Sequence, residues 1–330
     1  MNSILSVVLP TFRRPDFLDF FIQTHYKIFL TYDVNLCVSN NGACQETLSV
    51  LKKWEHDFPL LKYVNLDHEV NSDENILSAI SMSKSNYTWL IGDSYEIPEL
   101  TLKSVLDVIK KGENFNFIIT NLVDRYHHNS EDVYDEPSRV FTEMGIISAC
   151  IACNIYKTSD FRPELFRGYI GTDFSVLGYL LSWIGEHPFK LKYLENASVV
   201  TLKTPVRKVG WPHRFFEIMF INWLKFVDSL PLSYSIEDKE RVKRFLITQS
   251  GIITWRSVLN LRATGWLTKK AISQHRDEIL RYGDAYLFHY MKFLTAVPTS
   301  LCKALIILIE TFRRQRFRLV RYCNRLLNRG

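Results

Sequence analysis

The first 121 residues alternate between two hydrophobic patterns that no single element can satisfy. Short, largely apolar runs occur at 3–9 (SILSVVL), 34–38 (VNLCV), 61–66, 87–91 (YTWLI) and 115–121, and they fit strands buried on both faces. The intervening segments 16–30, 45–55, 73–83 and 101–110 read as helices, the first begun by Pro15 and Asp16. Parallel strands need long crossovers, and helices supply them. The alternation therefore predicts an α/β fold with a mostly parallel sheet covered by helices on both faces.

In such sheets ligands bind beyond the carboxyl ends of the strands. Three of those ends read Pro10-Thr11-Phe12-Arg13-Arg14, Ser39-Asn40-Asn41-Gly42 and Gly92-Asp93-Ser94, all polar and turn-forming. No G-x-G-x-x-G follows the first strand and no G-x-x-x-x-G-K-[ST] occurs, so dinucleotide and Walker-type phosphate cradles find no support. Residues 122–140 are polar and acidic and read as a surface loop, and 141–156 returns to apolar strand or helix. Past residue 205 the pattern becomes helical, at 211–227, 236–257, 269–282 and 285–294. A domain over 1–205 and a helical region over 206–330 are expected, with no internal repeat.

Apolar content of 47% with 23% charged residues describes a folded globular chain. The six cysteines, at 37, 44, 150, 153, 302 and 323, lack the spacing of a disulfide framework. Cys150-Ile-Ala-Cys153 has no second pair and lies in an apolar segment, so two ordinary buried thiols are expected there. No signal-peptide pattern opens the chain, and a reducing cytoplasm is the natural setting.

Four segments, in order, resemble the family 2 glycosyltransferases of the GT-A fold. SVVLPTFRRPDFL is similar to the opening strand and Pro-Thr-aromatic-x-Arg turn. LCVSNNGACQETLSVL is similar to the second strand, Asp/Asn-rich turn and helix. NILSAISMSKSNYTWLIGD is similar to the helix and strand leading to the metal-binding acids. Its Gly92-Asp93 ending most resembles the abequosyltransferase-like branch of bacterial O-antigen and capsule transferases, where Gly precedes three aspartates. A fainter match, GYIGTDFSVLGYLL, falls where the family keeps its catalytic acid.

The resemblance implies that Pro10, Thr11 and Phe12 border the base and ribose of a nucleotide-sugar donor. Arg13 and Arg14 then either reach the diphosphate or are simply solvated, and Arg14 is the one of the two expected among the donor-binding residues. Asn40 stands where an aspartate usually reads the base; it keeps one acceptor and adds donors. Asp93 becomes a ligand of Mg²⁺ or Mn²⁺, which would stabilise the leaving diphosphate, or a holder of the ribose. Ser94 and Tyr95 replace the further aspartates and Glu96 is nearby, so the acidic cluster is thinned and metal dependence is left open. Asp173 is the candidate general base of an inverting transfer, taking the acceptor proton across the sugar from the diphosphate. Glu186 is the second choice, His187 and His213 are candidate contacts, and Gly168, Gly171 and Gly178 would admit the sugar closely. Structural alternatives accompany each: an ordinary turn at Thr11, a tight Asn-Gly turn at Asn40, a cap of the helix after Pro98 for Asp93, and an N-cap for Asp173.

Residues 301–330 carry eight basic side chains against Glu310 alone, so the positive charge of the chain resides in its tail. ALIILI within 296–312 is interrupted by Lys303 and Glu310 and falls short of the roughly 20 apolar residues that span a bilayer. Residues 312–327 interleave aromatic and aliphatic side chains with six arginines, the pattern of an interfacial helix on an anionic membrane. A packed helix with a solvated basic face is one alternative and a nucleic-acid contact another; the membrane is expected and nucleic acid is not. The resemblance adds a lipid-linked oligosaccharide acceptor at the cytoplasmic face of the bacterial inner membrane, with the chain attached peripherally. The rival expectation is a non-catalytic scaffold that keeps the fold and binds nucleotide or glycan.

Overall fold

Strand β1 (Leu5–Thr11) is buried along almost its whole length, because neighbouring strands and helices cover both its edges and its faces. The computed structural model describes residues 3–123, 132–202, 212–309 and 311–312. β1 pairs in parallel with β2 (Val34–Asn40) and β4 (Tyr87–Leu90), and β3 (Leu61–Asn65) continues the parallel pairing beyond β2. Helices α1 (Pro15–Tyr32), α2 (Gln45–Glu55) and α3 (Ser72–Ser81) make the crossovers. Pro15 opens α1, and a reciprocal capping box between Asn71 and Glu74 opens α3.

Beyond β4 the sheet becomes mixed. β8 (Asn154–Lys157) lies antiparallel between β4 and β6 (Phe117–Leu122). β9 (Leu191–Thr201) runs parallel to β6, and the short β5 (Tyr95–Glu96) and β7 (Asp132–Tyr134) pair antiparallel with it. The order is β3-β2-β1-β4-β8-β6-β9-β5, with β7 also on β9. The expected α/β class with a helical C-terminal region holds, while the all-parallel part is confined to β3-β2-β1-β4. The apolar segment 141–156 explains the difference: it folds as a π-helical turn, Val140–Met144, then short helical turns, and delivers β8 backwards into the sheet. Of the expected loop 122–140, residues 124–131 lie outside the described residues; β7 and a helical turn, Pro137–Arg139, occupy its end.

Two compact units divide the chain: Met1–Lys208 with Asn222–Val242, and Val209–Ile221 with Lys243–Gly330. The first extends past residue 205, where the sequence pattern changes, by taking in Asn222–Val242. Helices make up the described part of the second. The run 236–257 is broken between Ile236–Thr248 and Trp255–Ala263, where Gly251 is left-handed and Thr254 caps the new helix. The run 269–282 is broken at His275.

His25 shows how firmly α1 is seated. Its Nδ1 lies 2.7 Å from the Phe21 carbonyl, its Nε2 accepts the Ile97 N–H at 2.9 Å, and it is fully buried. Nε2 can accept only in the neutral ring, and burial pushes the imidazole pKa down to about 4. A folded-state pKa below the unfolded value means this contribution is complete above pH 6.5 and is lost as pH falls through about 4. Urea denaturation from pH 7 to 4 should show a loss on the order of 3 kcal/mol at this group, absent in His25→Gln. Equal pH slopes for the two proteins would refute the assignment.

Candidate functional site

The parallel register brings the strand ends level. Thr11 lies beside Asn40, and Asn40 beside Asn65, on adjacent strands. Val8 faces Leu90, so Thr11 and Asp93, each three residues further on, also come level. Thr11 Oγ1 donates to Asp93 Oδ2 at 3.3 Å, and Arg14 Nη1 is 2.7 Å from Asp93 Oδ1. Thr11, Asn40 and Asp93 are all nearly or fully buried, Pro10 lies half-buried in β1, and Phe12 is exposed at the rim.

Asp93 does not cap α4 (Glu99–Lys110), whose N-cap is Pro98 without a side-chain bond. Burial pushes its carboxyl pKa up to about 6, against the opposing pull of Arg14 and Thr11. Arg13, by contrast, turns away: it pairs with Glu69 at 3.1 Å on the surface. Asn40 donates to Asn65 Oδ1 at 2.5 Å and to the Cys44 carbonyl at 3.2 Å, while its own Oδ1 is buried with no partner. Asn75 of α3 donates to the Thr11 carbonyl at 3.2 Å and likewise leaves Oδ1 unpartnered. Buried polar atoms normally find partners. Two acceptors are thus left orphaned here, one bordering Thr11 and one on the neighbouring strand.

Asp173 lies in a tight loop. Gly171 (φ 84°) and Asp173 (φ 67°) are both left-handed. The N-cap of the following helix, α5 (Ser175–Glu186), is Phe174, whose N–H is accepted by Thr172 Oγ1 at 3.1 Å, so Asp173 is not the cap. Its Oδ2 instead accepts Asn222 Nδ2 at 2.6 Å, where Asn222 ends a π-helical turn, Ile218–Asn222. π-Turns of this kind often mark functional positions. A non-glycine residue held left-handed costs stability and calls for a reason.

Asp73, which the sequence reading passed over, links the two halves. Its Oδ2 accepts the Gly171 N–H and its Oδ1 the Ser175 hydroxyl, both at 2.7 Å, and it is 6% exposed. Burial raises its pKa, and the nearby charge of Asp173 acts in the same direction. From one helical turn, then, Asn75 holds the Thr11 end and Asp73 holds the Asp173 loop. Just before that turn, Asn41 brackets Val70, accepting its N–H at 2.9 Å and donating to its carbonyl at 2.8 Å. The sequence signal was present in Asn71-Ser72-Asp73-Glu74-Asn75, where a capping box accounts for Asn71 and Glu74 and leaves Asp73 and Asn75 unexplained. Asn222 had no comparable signal.

Other candidates fall elsewhere. Glu186 is exposed at the far end of α5, about 16 Å along the helix axis from its start. His187 stacks on Trp183 at that same end, and His213 lies beside Trp266 in the second unit. Gly178 does not open toward the loop: an added Cβ would sit 2.3 Å from the Tyr169 ring, so it makes room for that tyrosine. Cys153 is a buried thiol as expected, whereas Cys150 is only half-buried and lies 3.6 Å from the Tyr95 hydroxyl.

A divalent cation fits the residues at Asp93 poorly. Both carboxylate oxygens are already engaged, by Arg14 and Thr11, Ser94 and Tyr95 add no carboxylate, and Glu96 belongs to β5. Among the described residues no group of three His, Cys, Asp or Glu is placed to hold a metal.

Residues 6–161 match the sequence profile of Glycosyl transferase family 2. No curated protein matches the chain in sequence. Among solved structures the fold is similar to S. aureus TarS 1-349 in complex with UDP-GlcNAc, at TM-score 0.53 and 15% identity over 88% of each chain. It is also similar to the mannosyltransferase PcManGT from Pyrobaculum calidifontis in complex with GDP-Man and Mn²⁺, at TM-score 0.49 and 11% identity over 89% of this chain and 87% of that one. Residues 6–161 of this chain thus carry the sequence profile of glycosyltransferase family 2, and the fold is GT-A-like.

Proposed function

We propose that the chain is an inverting glycosyltransferase acting on a nucleotide-sugar donor. One observation carries the reading: the first turn of α3 ties the Thr11 strand end, through Asn75, and the Asp173 loop, through Asp73, into one framework. A donor held at Thr11, Asn40 and Asp93 then has a carboxylate standing across from it. In the reaction the acceptor hydroxyl gives its proton to Asp173 as its oxygen bonds to the anomeric carbon. The anomeric C–O bond to the diphosphate breaks at the same time, and the nucleoside diphosphate leaves with the electron pair. The UDP-GlcNAc-bound neighbour supports a nucleotide-sugar donor class.

The acceptor we favour is a lipid-linked oligosaccharide of bacterial surface polysaccharide synthesis, such as an O-antigen or capsule unit, met at the cytoplasmic face of the inner membrane. Among the described residues no single helix is long and apolar enough to cross a membrane. The helix Thr299–Ile309 is apolar on nearly every side, and its Leu301, Ile307 and Leu308 are more than half exposed. Such a surface suits burial at an interface. The arginines of 313–330 follow it directly; they lie outside the described residues, so this rests on sequence.

Two measurements test the proposal. One member of a panel of UDP-, GDP-, CDP- and dTDP-sugars should raise the melting temperature and be hydrolysed slowly without acceptor; stabilisation by none would sink the transferase reading. The full chain should float with phosphatidylglycerol vesicles at low salt and be released at high salt. Failure to float would remove the membrane part alone.

A further inference from the structure

The single carboxylate at the end of β4 is already matched by a cation of the protein's own. We propose that Arg14 takes the place of a divalent metal, binding the donor diphosphate and stabilising it as it leaves. This rests on the glycosyltransferase reading and adds to it how the leaving group is held.

The geometry is specific. After β1 the backbone turns through left-handed Arg13 and sets Arg14 at the N-cap of α1. There the Arg14 guanidinium lies 3.8 Å from the Phe17 ring centroid, and its Nη1 is fixed on Asp93 Oδ1 at 2.7 Å. Aromatic face and carboxylate together hold the guanidinium plane in one orientation. Its Nε is buried with no acceptor, and the side chain is 30% exposed, so the guanidinium is seated at the site yet accessible. The exposed part of this fixed guanidinium suits phosphate oxygens, which it binds through charge-assisted hydrogen bonds. The amino end of an 18-residue helix adds about half a positive charge at the same place. Asp93 then serves to aim Arg14 rather than to ligate a metal, and Thr11 holds the other oxygen of that carboxylate. This also accounts for Ser94 and Tyr95: with no metal to surround, no further carboxylates are needed. No proton passes through Arg14; the electron pair of the broken anomeric bond stays on the diphosphate oxygen that Arg14 contacts.

The test is calorimetric binding of UDP, GDP, CDP and dTDP to the full chain, in EDTA and again with excess Mn²⁺. The nucleotide that binds should do so within about threefold equally under both conditions, and Arg14→Gln should weaken it by about tenfold or more in EDTA, with Arg14→Lys intermediate. Should Arg14→Gln fold poorly, Asp93→Asn decides. Its amide oxygen can still accept from Arg14, so binding should stay within about tenfold of wild type and remain indifferent to EDTA. Binding that EDTA abolishes and Mn²⁺ restores, or an Arg14→Gln protein that binds like wild type, overturns the proposal. In that case, a turnover defect in Asp173→Asn would leave the transferase reading standing. Binding of none of the four nucleotides under either condition overturns both.

Discussion

Asp173→Asn is expected to lower the turnover number by about 10²- to 10⁴-fold while leaving nucleotide-sugar affinity unchanged. The substitution is close to isosteric, and asparagine, like aspartate, tolerates the left-handed backbone found at this position (φ 67°). The new amide can still accept Asn222 Nδ2, now 2.6 Å from Asp173 Oδ2, so the loop should keep its shape. What disappears is the ability to take a proton from the acceptor. Steady-state kinetics paired with calorimetric binding of the donor separate the two effects. Full turnover in the variant would remove Asp173 from the reaction, and a parallel loss of donor affinity would make it a binding residue instead.

The second large effect is expected at Asp73. Alanine there strips an acceptor from both the Gly171 N–H and the Ser175 hydroxyl, and Ser175 is itself buried. At about 1–3 kcal/mol for the buried Ser175 hydroxyl left unpaired, and less for the N–H of the exposed Gly171, Asp73→Ala should cost on the order of 1–4 kcal/mol of folding stability. Asparagine should cost far less, because its Oδ1 can accept the Gly171 N–H while its Nδ2 donates to Ser175 Oγ. Urea denaturation of the three proteins at pH 7 provides the measurement. The folded fraction of Asp73→Ala should also turn over more slowly, since the loop holding Asp173 has lost its tie to α3. An alanine protein as stable and as fast as wild type would show that the clamp has no consequence.

The legible parts of this protein were those written in local periodicity. The runs that became β1 to β4 and the helices between them could be read because each buries its own apolar pattern, whatever lies elsewhere in the chain. The boundaries moved where a rule of thumb was too strict. Pro10 and Thr11 belong to β1, beyond the apolar run 3–9; the pairing with β4 ends at Val8, so the missing N–H of Pro10 removes no ladder bond. The antiparallel insertion of β8 was not legible, because the segment before it switches from helical turns to strand within a few residues. At the site, turn chemistry pointed to Thr11, Asn40 and Asp93, and the structure sets Thr11 against Asp93 with Asn40 on the next strand. It separated Arg13 from Arg14: Arg13 pairs with Glu69 at the surface, and Arg14, the one expected at the donor, pairs with Asp93.

By itself, then, the sequence determined the α/β class, the order of the first strands and helices, and which strand ends carry polar turns. Those properties follow from hydrophobic period and turn propensity, which act over a few residues. The tertiary structure alone decided which long-range partners those turns acquire. Asp73 reaches Gly171 and Ser175 across about a hundred residues, Asn222 reaches Asp173, and Arg14 reaches Asp93. A buried carboxylate must find donors somewhere, and only the folded chain determines which ones stand within reach.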